Sequence, residues 1–301
     1  MAKRIIKLSS PAKLNLALQV VNRRPDGYHD LRTIFERISL ADTLTFRPRR
    51  EGIHISCDHP SVPCDERNLV HKVARLLKES YGVKLGVWID IQKRIPVAAG
   101  LAGGSSNAAT ALIGLNRLWN LGLSQKELVA LAKQVGSDVS FFLYDRPFAL
   151  GTGRGDRIKV LDMPGKFWHV LITPKAPLLT KDVYREFSSR YFKSLSSAEK
   201  MGGSQLTRGG SDVTMLTRSL RKQDIAGIQR LIFNDLEGSI GFLRPELLRL
   251  KDRLMRFQPQ GVCFSGSGPS IFVLTRNRAE AETIARHFRR IYTQVFVVTT
   301  D

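Results

Sequence analysis

Pro96-Val97-Ala98-Ala99-Gly100-Leu101-Ala102-Gly103-Gly104-Ser105-Ser106-Asn107 is the stretch of this chain whose residue types point most directly to chemistry. Glycines let backbone amides approach an anion with no Cβ in the way, and successive N–H groups can form a nest for phosphate. An Ala- and Leu-rich helix beginning near Ser105 adds its positive N-terminal end, and the serine hydroxyls add donors or a metal ligand. The plainer alternative is a tight turn with Ser105 or Ser106 as the helix cap. No lysine follows the glycines as in a Walker A loop, and the spacing is wrong for a dinucleotide fingerprint. A triphosphate held here would need its charge balanced from elsewhere, by bound magnesium and a remote lysine.

Other segments carry polar groups at telling places. In Pro11-Ala12-Lys13-Leu14-Asn15-Leu16 a lysine and an asparagine interrupt an apolar run; read alone, Lys13 is a solvated lysine at a strand edge. Arg23-Arg24-Pro25-Asp26-Gly27 is a turn signal, followed at once by Tyr28 and His29. Asp138 stands before Val139-Ser140-Phe141-Phe142, where capping is its ordinary use. Ser265-Gly266-Ser267-Gly268-Pro269 lies between two apolar runs and reads alone as a hairpin turn. His54, Cys57, His59 and Cys64 invite a zinc reading, but no C-x-x-C pair is present and Ile53–Cys57 alternates like a strand. No metal-ligating residues are assigned.

The elements that must position these groups follow from periodicity. Leu14, Leu16, Leu18 and Val20 alternate along a strand over 12–21, and 31–47 supplies one or two more. A helix is predicted over 68–80, a strand over 87–91, a buried helix over 105–119 and a further helix over 125–135. Ser124 and Glu127 form a capping box for the last of these. Beyond a boundary near 160–170, an apolar strand at 169–173 begins a second region. It has helices near 213–232, 245–256 and 278–290, and strands at 261–264, 270–274 and 295–298. Residues 188–212, rich in Ser, Gly, Thr and basic groups, read as a mobile surface loop or insertion.

A chain of 301 residues with 43% hydrophobic content supports two domains with substantial cores and excludes global disorder. No apolar run approaches a bilayer span, and the basic start Met1-Ala2-Lys3-Arg4 leads into a strand rather than a signal peptide. Three cysteines make no disulfide framework and suit a reducing compartment. The net charge of +20 permits nucleic-acid binding, attraction of anionic small molecules, or a solvated basic surface. Because the 47 Lys and Arg are dispersed along the chain, the last two readings are favoured.

Pro96–Ser106 resembles the second motif of the GHMP kinases, the family of galactokinase, homoserine kinase and mevalonate kinase. Pro11–Leu16 and Gly261–Ser270 fall where that family places its first and third motifs. Lys13-Leu14-Asn15-Leu16, Asp26-Gly27-Tyr28-His29-Asp30-Leu31 and Gly136-Ser137-Asp138-Val139 narrow the resemblance to members acting on a cytidine-diphospho sugar alcohol. The likeness runs in order from about residue 9 to residue 275.

The resemblance implies an α+β, two-domain GHMP kinase fold with the active site in the cleft between domains. The N-terminal domain would span 1–165, with a left-handed βαβ crossover, and the C-terminal domain 166–301. It implies ATP and Mg²⁺, with Pro96 to Ser106 around the ATP phosphates. Lys13 and Asp138 would be the catalytic pair: Asp138 accepts or orients the proton of the attacking hydroxyl, and Lys13 holds it ionised and offsets charge on the transferring phosphoryl. Tyr28 would stack on cytosine while His29 bonds its polar edge. Tyr184, with Thr180 beside it, would close the sandwich, and Asn15 would meet the polyol or phosphates. Asn68 would lie near adenine, although a helix N-cap is its ordinary role. Gly266, Ser267 and Gly268 would support the phosphate loop.

Ala98 and Ala99 depart from the family pattern, since some relatives carry glycines there, and 188–212 is longer and more basic than expected. The implied partner is a small-molecule cytidine-diphospho substrate, with no nucleic acid and no membrane, in the cytoplasm; oligomeric state is left open. The alternatives are a GHMP kinase acting on a different alcohol, or a basic RNA-binding protein. The latter lacks the interleaved aromatic and basic residues of RNA-recognition modules.

Overall fold

A computed structural model describes residues 5–199, 211–258 and 260–301. The chain packs as two units. The first comprises Met1–Lys13, Ser39–Val97 and Ala102–Asp145; the second comprises Leu14–Ile38, Ala98–Leu101 and Arg146–Asp301. These units do not follow a single cut near 165, because two long strands, β1 (Ile6–Arg23) and β2 (His29–Arg49), contribute a segment to each. The second of them is one continuous strand where the sequence left one or two open.

In the first unit β3 (Ile53–Cys57) and α1 (Leu69–Tyr81) precede β4 (Gly86–Gln92), which is followed by α2 (Gly103–Leu118) and α3 (Gln125–Val135). A short 3₁₀ helix, Val139–Leu143, ends it. The C-terminal half of β2 pairs antiparallel with β4, Thr43 opposite Gln92 through Arg49 opposite Gly86, and β4 pairs parallel with β3. Val87, Ile89 and Ile91 are all buried, as their alternation requires. Leu40, Asp42, Leu44 and Phe46 fill the matching positions of β2 and are buried too. Helix α2 lies close on this strand: a Cβ at Gly114 would come within 2.5 Å of the Phe46 ring. Asn68 caps α1 by accepting from the Val70 amide, and Gly82 ends the helix in the left-handed conformation. The capping box of Ser124 and Glu127 is present at α3.

The second unit adds β5 (Phe148–Gly153), β6 (Arg157–Leu161), β7 (Trp168–Ile172), α4 (Thr180–Glu199), α5 (Ser211–Arg221) and α6 (Ile225–Leu231). It continues with β8 (Phe233–Asn234), α7 (Glu237–Leu243), α8 (Pro245–Met255), β9 (Val262–Phe264), β10 (Ile271–Thr275), α9 (Arg278–Phe288) and β11 (Val295–Thr299). An antiparallel sheet runs β11-β7-β10-β9. The N-terminal half of β2 pairs with β5, which pairs with β6, while Ala17 and Leu18 of β1 pair parallel with β8. Leu18 and Val20 share one core with Val170, Ile172, Phe264, Val273, Phe288 and Val295.

Several sequence expectations are corrected. The stretch 213–232 is two helices, because Asp224 accepts from the Gly227 amide and starts α6 afresh. Residues 188–199 and 211–212 are helical, not loop; 200–210 lie outside the described residues. Composition misled here. Val183 is buried in the core, with Tyr184 and Phe187 packed against it, so one apolar face anchors α4 despite its polar remainder. The phosphate-loop helix begins at Gly103, two residues earlier than expected. The short elements β5, β6, β8 and α7 were not anticipated. Among the described residues no helix is long and apolar enough to cross a membrane.

Candidate active site

Lys13 is no surface lysine. Its position in β1 buries it to 4% exposure, and its Nζ lies 3.8 Å from Oδ2 of Asp138. Burial pushes the Lys13 pKa down from 10.5, and the charge of Asp138 recovers only part of that shift. Asp138 occupies the N-cap position of the 3₁₀ helix yet makes no side-chain cap bond. Its carboxylate is instead about one-third exposed and faces the ammonium. The capping role that its sequence position favours is therefore not the one it plays.

Both residues belong to the unit that holds the start of α2. There Ala102 precedes the helix at φ 54, with no side-chain cap. Neither serine caps this helix: the buried Ser106 hydroxyl pairs with Ser10 Oγ at 2.8 Å. Gly104 is exposed and Ser105 half-buried. In the first turn Gly104 and Ser105 reach solvent and no side chain caps the helix, a setting that suits anion binding at a helix N-terminus.

The other half of the loop, Ala98–Leu101, packs in the second unit against the β9–β10 connection. Ser265 Oγ donates to the Gly100 carbonyl at 3.0 Å, and a Cβ at Gly100 would stand 2.1 Å from the Ser265 carbonyl oxygen. Gly100, at φ 75, is glycine for both reasons. Ala98 also takes a left-handed conformation, φ 54, so the departure from glycine stores about 1–2 kcal/mol of strain. Gly266, Ser267 and Gly268 are buried, and Ser267 Oγ bonds Thr180 Oγ1 at 2.9 Å. The connection joins the antiparallel pair β9 and β10 as a hairpin and packs against Gly100. Asn234, which the sequence reading passed over, holds it by donating to the Phe264 and Gly266 carbonyls.

Tyr28 and His29 differ sharply in setting. Tyr28 is 58% exposed, with the Arg154 guanidinium 5.2 Å from its ring centre. His29 is buried, stacks on Tyr184 at 5.1 Å, meets Phe187 edge-on, and bonds Ser188 Oγ at 2.8 Å. Burial, then Arg23, lowers its pKa below 6.5. A small cleft lined by Val20, Asn22, Arg23, His29, Phe187 and Ser188 opens beside it. Tyr28, His29 and Tyr184 thus belong to one unit, with Tyr184 stacked directly on His29. Asn15 is buried and donates to Thr33 Oγ1, which donates to the Ala17 carbonyl. Asn68 is a cap, as its ordinary role predicts.

Sequence reading missed a buried polar network in the first unit. Asp42, fully buried, accepts from Lys93 Nζ at 2.5 Å, from the Arg94 and Ile95 amides, and from Asn107 Nδ2. The available signal was parity: a carboxylate standing in register with Leu40, Leu44 and Phe46 must be paired. Among the described residues no group of three or more His, Cys, Asp or Glu is placed to hold a metal ion.

A model of the GHMP kinases N terminal domain matches residues 68–146, and one of the GHMP kinases C terminal domain matches 216–294. The chain is 40% identical over 292 residues to 4-diphosphocytidyl-2-C-methyl-D-erythritol kinase of Shouchella clausii (strain KSM-K16), covering 97% of this chain and 93% of that one. The protein of the same name from Geobacillus kaustophilus (strain HTA426) is 40% identical over 296 residues, 97% and 96% of the two chains. A crystal structure of 4-(cytidine 5'-diphospho)-2C-methyl-D-erythritol kinase superposes with TM-score 0.78 at 33% identity, covering 98% of each chain.

Proposed function

The chain belongs to the GHMP kinase family, and on that premise we propose that it transfers the γ-phosphoryl group of ATP to the 2-hydroxyl of 4-diphosphocytidyl-2-C-methyl-D-erythritol, in the non-mevalonate route to isoprenoid precursors. The observation that carries this reading is the Lys13–Asp138 pair: a buried ammonium facing a carboxylate that is exposed and unused as a cap. The ammonium is 5% exposed at its side chain and the carboxylate 32%. Here the carboxylate reaches solvent, where a hydroxyl can approach it.

In this scheme Asp138 accepts or orients the hydroxyl proton while Lys13 offsets charge on the transferring phosphoryl. The amides of the α2 first turn and of the loop before it receive the ATP phosphates. Magnesium would enter as an ion carried on the ATP phosphates. The half-buried Ser105 hydroxyl is the protein donor that would complete its shell, and the bound ion would neutralise phosphate charge. Cytosine recognition falls to Tyr28, the exposed aromatic face, and to the cleft beside His29 and Tyr184. Asn15 and Thr180, both hydrogen-bonded within the second unit, support these surfaces. We further place the boundary between the two family domains near 165, although the compact units interleave across it, and the enzyme in the cytoplasm.

The test is ATP consumption by the purified chain with the cytidine-diphospho substrate, beside Asp138→Asn. Turnover should fall about 10²–10⁴-fold in the variant, the usual range for a lost general base. Wild-type turnover unaffected by the substitution would remove Asp138 from the mechanism. Tight Mg-ATP binding without turnover of this alcohol would remove the substrate.

A further inference from the structure

The glycine loop lacks a lysine of its own, and the molecule places one behind it. Lys93 Nζ lies 3.2 Å from where a Cβ of Gly103 would stand, at the first residue of α2. The lysine is 5% exposed and ion-paired with Asp42, so its charge is cancelled before it can act on a phosphate. Asp42 also does more than neutralise Lys93. One of its oxygens, Oδ1, accepts from the Arg94 amide at 2.7 Å and the Ile95 amide at 2.9 Å, just before the loop begins. Its other oxygen accepts from Asn107 Nδ2 at 2.9 Å, just after the loop ends. That same Nδ2 donates to Ser10 Oγ, which pairs with Ser106.

We infer that Asp42 is a positioning residue for phosphoryl transfer: it ties the entry and the exit of the glycine loop to β2 and so fixes where the α2 amides meet the ATP phosphates. The inference rests on the assignment of this loop to ATP. The two strained alanines, Ala98 and Ala102, make such a tie necessary, since their left-handed conformations persist only where flanking structure imposes them. Lys93 then serves to hold the carboxylate in place rather than to bind nucleotide. Geometry, not net charge, is what the network supplies.

Asp42→Asn separates the two. The new amide has one acceptor and one donor end, so it cannot serve both the backbone amides and the Lys93 and Asn107 donors. The expected result is a KM for ATP raised about tenfold or more, as for a lost charge-assisted hydrogen bond, with the KM for the cytidine-diphospho substrate unchanged. Combining it with Lys93→Met removes one donor and lets the Asn107 amide turn to accept. The double variant should return to within about threefold of the wild-type ATP KM, which a charge-based role forbids. Asn107→Ala, which leaves the ion pair whole, should raise the ATP KM alone and keeps the test decisive if Asp42→Asn does not fold. Wild-type ATP KM in the folded variants, or equal losses toward both substrates, overturns the inference. A wild-type chain that turns over no ATP overturns the functional reading beneath it.

Discussion

Replacing Lys13 with methionine should abolish activity and leave the protein more stable. Methionine has nearly the length and volume of lysine, so it fills the same slot in β1 without a cavity. What changes is the charge. The Lys13 pKa is lowered because burial disfavours the ammonium by more than Asp138 compensates, so holding the proton there costs the fold free energy. Breaking a buried pair usually strands a charge, but Asp138 is one-third exposed and can take water in place of the ammonium. The expected gain lies at the low end of the about 1–4 kcal/mol typical when a buried charge gives way to an apolar side chain of like volume, a rise in melting temperature of about 2–3 °C in a chain of this length. The pH dependence has a definite sign. Between the lowered folded pKa and 10.5 the unfolded chain binds more protons, so wild-type stability rises with pH across that window. The advantage of Lys13→Met should be full below the window and shrink as pH approaches 10.5. Thermal melts at several pH values, beside a coupled assay showing at least about 10²–10³-fold loss of turnover, test both halves. A variant that melts several degrees below wild type at neutral pH would refute the reasoning, because Lys13 would then be a net stabiliser.

Gly100→Ala should cost about 2–5 kcal/mol, combining a left-handed alanine with a Cβ driven into the Ser265 carbonyl 2.1 Å away; an unchanged melting temperature contradicts that packing. His29 should set an acid limit on substrate affinity. Because its pKa lies below 6.5, KM for the cytidine-diphospho substrate should rise only as pH falls below that value, and Arg23→Gln should move the limit upward by removing a repelling charge. KM profiles between about pH 5 and 8 decide it, and a limit shifted downward by the variant is the contrary result. The same lowered pKa means that stability declines as pH falls from 6.5 toward the folded value.

The regular elements were legible because their patterns are strong. The alternation of Leu14, Leu16, Leu18 and Val20, the capping box at Ser124 and the Asn68 cap each specify a local conformation that packing leaves intact. The stretch after Thr180 was not, since a helix held by Val183, Tyr184 and Phe187 keeps a polar remainder that reads as loop. Lys13 and Asp138 show a second limit. Sequence position gives the commonest role of a residue type, solvated lysine or capping aspartate, and only a family likeness pointed elsewhere. Asp42 was missed for a different reason: a lone carboxylate in a strand is unremarkable until its partners, Lys93, Asn107 and two backbone amides, are folded around it. A search for a single linker also finds no cut in a chain whose first two strands are shared between units.

That sharing has a consequence for synthesis on the ribosome. Every segment of the first unit has been made once residue 145 emerges, so it can assemble early. Leu18 and Val20 are made almost first, yet the core they enter includes Val262, Phe288 and Val295. At roughly 5–20 residues per second, their apolar face waits on the order of 15–55 s for its partners. During that interval β1 has β2 to pair with but no core to cover its apolar face, the kind of exposed surface that holdase chaperones bind. Output of this enzyme in a foreign host is thus expected to respond to chaperone supply and growth temperature through the apolar face of residues 14–20.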